Sequence, residues 1–178
     1  MAEESAGNSS IVIVFTGDGK GKTTAALGIL LRAWGRGLRV VMLSFIKAAG
    51  SNFGEHRAAR RMGVEIIPMG AGFTWLSQDL ENDKALAVEC WKLCQEKLAS
   101  GSYDVVILDE ITYPLAYGWL PLEEVLDTLR SRPPNVHVVI TGRDAPEALI
   151  DFADLVTEMQ EVKHPYHENV KAIVGIDL

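Results

Sequence analysis

Two groups of residues in this chain have the types and spacing to handle phosphate. The first is Thr16-Gly17-Asp18-Gly19-Lys20-Gly21-Lys22-Thr23-Thr24, which follows the apolar stretch Ile11 to Phe15 and precedes a helical pattern. In such a loop the glycines let backbone N–H groups turn inward around an anion, and the following helix N-terminus adds partial positive charge. Lys22 can reach the outer phosphates, and Thr23 offers its hydroxyl to Mg2+. Gly17, Asp18, Gly19, Lys20, Gly21, Lys22, Thr23 and Thr24 are therefore the candidate nucleotide-binding residues. One position departs from the standard motif: Thr16 stands where a glycine is usual, five residues before Gly21. The bland alternative is a glycine-rich turn without a ligand, but two lysines in one tight turn repel unless an anion lies between them.

The second group is Val105-Val106-Ile107-Leu108-Asp109-Glu110, a buried-strand pattern ending in two acids. Acids at the carboxyl edge of a parallel sheet share that edge with the phosphate loop, so they can hold Mg2+ directly or through water. Thr23, Asp109 and Glu110 are the candidate metal ligands; Lys20, Lys22, Thr23 and Glu110 are the candidate catalytic residues. By itself an Asp-Glu pair is more often a solvated turn. Its company with the loop turns the balance.

These residues need a frame. The chain has 178 residues, 48% of them hydrophobic, enough for one domain with a sizeable core. Residues 1–10 read as a mobile tail and 11–178 as a single domain. Apolar runs alternate with helical segments, which predicts a mostly parallel sheet with helices on both faces. Strands are expected at Ile11–Thr16, Arg39–Ile46, Val64–Ile67, Tyr103–Asp109, Val136–Thr141 and Leu155–Met159. Leu27, Leu30, Leu31 and Trp34 at i, i+3, i+4 and i+7 predict the sheet-facing side of the first helix. Ala87, Trp91, Cys94 and Leu98 do the same for the helix before Tyr103, and Gly35 and Gly37 bracket the end of the first. Asp144 and Glu147 resemble a capping box.

Composition excludes several classes. A net charge of −7 argues against a general nucleic-acid or anionic-membrane binder, and Arg57, Arg60 and Arg61 read as a solvated helix face. No apolar run reaches membrane length and the polar, acidic start is unlike a signal sequence, so a cytoplasmic setting is expected. Cys90 and Cys94, one helical turn apart, suit neither a disulfide framework nor a zinc site and read as buried thiols. His164 and His167 flank Pro165 in what reads as a turn.

Beyond the loop and the acidic strand, Phe45-Ile46-Lys47, Gly70-Ala71-Gly72-Phe73-Thr74-Trp75, Leu108-Asp109-Glu110-Ile111-Thr112-Tyr113 with Tyr117-Gly118-Trp119-Leu120, Thr141-Gly142-Arg143 and Lys163-His164-Pro165-Tyr166 follow in one order. Together they closely resemble the P-loop type of ATP:corrinoid adenosyltransferase, from about Ile11 to Leu178. The resemblance implies a RecA-like P-loop NTPase fold of class α/β. It implies an enzyme that transfers the 5′-deoxyadenosyl group of ATP to the cobalt(I) of a reduced corrinoid and releases triphosphate. Mg2+ with ATP, a homodimer, and an electron-donating flavoprotein or reduced flavin are implied with it. Phe73 and Trp75 match the aromatic pair with which the family closes the lower face of the corrin ring, and Arg143 is expected to anchor a corrin amide or a phosphate. Asp18 stands where many members have asparagine. A P-loop kinase or ATPase, and a non-catalytic regulator that senses nucleotide or corrinoid, are the alternatives.

Overall fold

The computed structural model describes residues 10–48, 50, 53–72, 79–168 and 170–176. Six strands, β1 (Val12–Thr16), β2 (Val40–Ala48), β3 (Glu65–Gly70), β4 (Val105–Asp109), β5 (His137–Thr141) and β6 (Leu155–Glu158), form one sheet in the order β3-β2-β4-β5-β1-β6. Every neighbouring pair is parallel. The expected α/β class and the six expected strands are thus present. Boundaries shift most at β3, which runs on to Gly70, and at β2, which runs on to Ala48.

Each central strand sends alternate side chains to opposite faces, as a two-residue period requires. Val105 and Ile107 join Ile13, Met42 and Val139 in one core, while Val106 and Leu108 join Val14, Leu43 and Ile140 in the other. Helix α1 (Lys22–Gly35) covers the first core. Helices α3 (Leu80–Ala99), α5 (Leu122–Ser131) and α6 (Glu147–Phe152) supply side chains to the second, where Ala87, Cys90, Trp91, Cys94 and Leu98 form the buried stripe of α3. Two short helices, α2 (Gly54–Met62) and α4 (Thr112–Ala116), complete the connections. Arg57, Arg60 and Arg61 lie on the exposed side of α2, and Cys90 and Cys94 are buried free thiols.

Two local expectations are corrected. The sheet-facing stripe of α1 is Ala26, Leu30 and Ala33, whereas Leu31 and Trp34 are 55% and 44% exposed. Alanines let the helix sit close to the strands, and the larger residues are displaced outward, where Trp34 donates its indole N–H to the Met62 carbonyl at 3.1 Å. Asp144 and Glu147 form no capping box: α6 begins after Pro146 with no side-chain cap, and Asp144 is instead in a left-handed turn at φ 50°. That turn brings the end of β5 back over the end of β1.

Candidate active site

The chain leaves β1 at Thr16 and enters α1 through the glycine-rich loop, which lies at the carboxyl edge of the sheet. Thr16 remains in the strand, and its hydroxyl accepts the Ala145 N–H at 3.2 Å. The side chain that replaces the usual glycine therefore ties the turn after β5 to the loop. Gly17 and Gly21 have φ of 90° and 111°, the left-handed region that favours glycine. A Cβ on Gly17 would lie 2.5 Å from the Met159 carbonyl oxygen, and one on Gly19 would lie 2.6 Å from that of Gln160. The Gly19 N–H already donates to the Met159 carbonyl at 2.7 Å, so one loop amide is committed to the segment after β6.

Lys22 folds back across the loop and donates to the Gly17 and Gly19 carbonyls at 2.6 and 2.7 Å. Burial, and then the charge of Arg143, lower its pKa, while Glu110, Asp18 and Asp144 pull the other way. An ammonium held among carbonyls beside the Arg143 guanidinium is a group prepared for an anion.

Asp109 ends β4 and is fully buried. Its Oδ1 accepts hydrogen bonds from the hydroxyls of Thr23 and Thr141, each at 2.8 Å, and its Oδ2 accepts one from Ser44 at 3.1 Å. Lys47 Nζ stands 3.5 Å from the same Oδ2 and 2.8 Å from Glu55 Oε1. Burial opposes the charge on Lys47, but Asp109 and Glu55 outweigh it and raise its pKa. Three hydroxyls and an ammonium thus absorb the buried carboxylate, and Asp109 serves to fix Thr23. Charge-assisted bonds of this kind are the strong ones.

Glu110 differs from its neighbour in every respect. It adopts φ 64°, a conformation that costs a non-glycine residue roughly 1–3 kcal/mol. Its N–H donates to the Thr141 hydroxyl at 2.9 Å. Its carboxylate makes no hydrogen bond or ion pair with the described residues. Desolvation first, and the charge of Asp109 second, push its pKa up to about 7 against the pull of Lys47, Lys22 and Arg143. A strained, desolvated carboxylate at the end of the sheet beside the phosphate loop is where a cation gains most.

Arg143 follows β5. It donates through Nη1 to the Tyr113 hydroxyl at 3.0 Å and through Nη2 to the Asp18 carbonyl at 3.2 Å, with Nε 3.7 Å from Asp18 Oδ1. The structure therefore brings together Asp18, Lys22, Thr23, Asp109, Glu110 and Arg143, with Lys20 and Thr24 on the exposed side of the same loop. Phe73 and Trp75 lie outside the described residues. Sequence reading assigns no role to Ser44, Lys47, Tyr113 or Thr141. Lys47 and Thr141 stand at the carboxyl ends of β2 and β5, Tyr113 lies on α4 and Ser44 lies within β2; all but Ser44 sit in the quoted segments, which is the signal that would have found them. His167 lies in an exposed 3-10 turn (Pro165–Glu168), with its Nε2 2.6 Å from Glu161 Oε1, and His164 precedes that turn.

A profile of the family described as ATP:corrinoid adenosyltransferase BtuR/CobO/CobP matches residues 8–178. The chain belongs to this family. It is 47% identical over 167 residues to the corrinoid adenosyltransferase of Escherichia coli strain K12, covering 94% of this chain and 85% of that one. Its identity and coverage are the same for the corrinoid adenosyltransferase CobA of Salmonella typhimurium strain LT2. At 41% identity it also matches the corrinoid adenosyltransferase of Pseudomonas aeruginosa, over 94% of this chain and 83% of that one. The fold is shared more widely: the flagellar accessory protein FlaH of Methanocaldococcus jannaschii superposes with a TM-score of 0.55 at 13% identity, over 84% of this chain and 70% of that one.

The donors beside the loop of this adenosyltransferase fit Mg2+ carried on a nucleotide. Among the described residues no group of three or more His, Cys, Asp or Glu is placed to hold a metal ion. Mg2+ that arrives on nucleotide phosphates, however, needs only one or two carboxylates and keeps oxygen ligands. The Glu110 carboxylate and the Thr23 hydroxyl, the latter oriented by Asp109, provide that set.

Proposed function

We propose that this adenosyltransferase moves the 5′-deoxyadenosyl group of ATP to the cobalt(I) of a reduced corrinoid, such as cobalamin, cobinamide or cobyrinic acid diamide. Cobalt(I) in the substrate is the nucleophile. It forms a bond to ribose C5′ as the C5′–O bond breaks, and the electron pair leaves with triphosphate. The protein contributes no nucleophile. Its tasks are to hold the two substrates in line and to stabilise charge on the departing oxygen.

Lys22, Lys20 and the loop amides serve the second task, with Thr23 and Glu110 holding Mg2+. Mg2+ held there would neutralise part of the triphosphate charge. Asp109 keeps Thr23 in place without itself needing a free oxygen. Phe73 and Trp75 close the lower face of the corrin and exclude water and the lower axial ligand there, which makes cobalt(II) easier to reduce. The electron comes from a partner flavoprotein or reduced flavin, and neither nucleic acid nor membrane takes part. Among the described residues no helix is long and apolar enough to cross a membrane. We place the enzyme in the cytoplasm, where Cys90 and Cys94 stay reduced, and as a homodimer, for which the open edge of β6 offers a surface.

The observation that carries this reading is the near half-identity to named corrinoid adenosyltransferases across almost the whole chain, loop and acidic strand included. It is tested by incubating the protein with ATP, Mg2+ and chemically reduced cobalamin. A light-sensitive cobalt–carbon chromophore is expected. Phosphate release with no change in the corrin spectrum indicates a kinase or ATPase instead, and binding of both ligands without turnover indicates a regulator.

A further inference from the structure

We propose that Arg143 is a ligand of the triphosphate, with Asp18 as the counter-ion it exchanges for a phosphate oxygen. This rests on the adenosyl-transfer reading for the nature of the leaving group, though the phosphate contact itself does not.

Topology is the first argument. β5, which delivers Arg143, lies one strand step from β1 and its loop but three steps from β3, the strand that leads to Phe73 and Trp75. At about 4.8 Å per step, that is roughly 5 Å against roughly 14 Å. A guanidinium at this place stands beside the phosphate loop.

The second argument is that its base is fixed. Gly142 N–H donates to the Phe15 carbonyl at 3.2 Å, Thr141 is bonded to Asp109, and Ala145 N–H is bonded to Thr16. The turn is thus pinned to the end of β1 on both sides of Arg143. The guanidinium is then aimed by Tyr113 and by the carbonyl of Asp18, a residue of the phosphate loop itself.

The third argument is the weakness of what holds it. The Asp18 pair spans 3.7 Å between side chains 82% and 42% exposed, so water screens it strongly and little is lost when a phosphate replaces Asp18. A planar guanidinium suits a phosphate's paired oxygens, and charge growing on the leaving triphosphate strengthens the contact. The pairing also gives Asp18 a role: with no phosphate bound it holds the guanidinium at the loop, and it gives way to water when a phosphate oxygen takes its place.

The test is calorimetric binding of inorganic triphosphate and of ATP, each with Mg2+, alongside steady-state kinetics with reduced cobalamin. Arg143→Ala is expected to weaken triphosphate binding roughly 10- to 100-fold, as for loss of a charged hydrogen bond, with KM for corrinoid within about twofold of the parent. Arg143→Lys, which keeps charge but loses the fork, is expected to fall between them and covers the case in which the alanine variant does not fold. Asp18→Asn is expected to tighten triphosphate binding several-fold, and to do so less in the Arg143→Lys background. A raised corrinoid KM with unchanged triphosphate affinity overturns the proposal, as does Arg143→Lys binding triphosphate as the parent does. An equal gain from Asp18→Asn in both backgrounds removes the counter-ion. Because the binding arms need no turnover, a parent protein that makes ADP would overturn the adenosyl-transfer reading without touching them.

Discussion

Asp109 and Glu110 are adjacent acids with opposite fates, and the difference is one of hydrogen-bond supply. Asp109 receives three hydroxyls and the field of Lys47, whereas Glu110, turned aside by its left-handed backbone, receives none from the described residues. Its pKa rises from 4.5 to about 7. Between those values the folded protein holds a proton that the unfolded chain has lost, so this contribution to stability is complete below pH 4.5 and disappears as pH passes 7. In the absence of Mg2+ the loss amounts to about 3 kcal/mol at most. Glu110→Gln is expected to abolish that slope and to be the more stable protein at pH 8, as read by denaturant unfolding from pH 5 to 8. A parent protein equally stable at both ends of the range would contradict the desolvation of this carboxylate. Phe73→Ala and Trp75→Ala are expected to slow adenosylation of cobalt(II) corrinoid under a reductase far more than they weaken ATP binding; equal loss of both would remove them from the corrin. Residue types that match a motif, such as Lys22, Thr23 and Asp109, were legible in the sequence. Ser44 was not, because a lone hydroxyl inside a strand has no pattern until the register sets it beside Asp109.

At the scale of elements, the two-residue period of the strands was readable because both faces are buried, and all six strands were found from it. The first helix was misread on half of its face: Leu30 is buried and Leu27 packs against the core, but Leu31 and Trp34 lie outside it. A hydrophobic count favours Leu31 and Trp34, but the close approach of helix to sheet selects the small residues Ala26 and Ala33. The expected capping box failed for a related reason: Asp144 is used to turn the chain, so that Arg143 and Ala145 reach the loop, and α6 begins without it. The tightest joint between elements is Gly142, buried at φ 145°, where a Cβ would lie 1.9 Å from the Thr112 hydroxyl at the start of α4. Neither side is a flexible end. Gly142→Ala is therefore expected to cost roughly 2–4 kcal/mol and to shift Glu110 and Arg143, lowering kcat even where the variant folds. Thermal unfolding and kinetics on the folded fraction measure both. A variant with the parent's Tm and kcat would show that the joint is slack.

For the whole molecule, the strand order decides what meets what. β1 and β4 are separated only by β5, so loop, acids and Arg143 converge on one edge, while β3 carries its glycine-rich exit to the far side. Motif order along the chain implied a shared edge but could not give this spacing, because parallel crossovers admit several strand orders with the same sequence pattern. The other end of the sheet is β6, whose four residues, Leu155 and Val156 among them, are all exposed and whose outer edge no described strand covers. An open parallel edge with apolar side chains is an aggregation hazard unless it is covered, and in the proposed homodimer a second copy covers it. Val156→Lys is expected to halve the mass seen by sedimentation velocity at micromolar concentration, and an unchanged dimer would place the contact elsewhere.

The arrangement as a whole treats triphosphate as a leaving group, so the decisive question is which bond of ATP is cut. ATP carrying oxygen-18 at the bridge between C5′ and the α-phosphorus, turned over with reduced cobalamin and analysed by mass spectrometry, answers it. The account predicts that all of the label departs with inorganic triphosphate and none stays with the adenosyl group. Label retained on a nucleotide product, with unlabelled orthophosphate released beside it, would contradict the account at its centre.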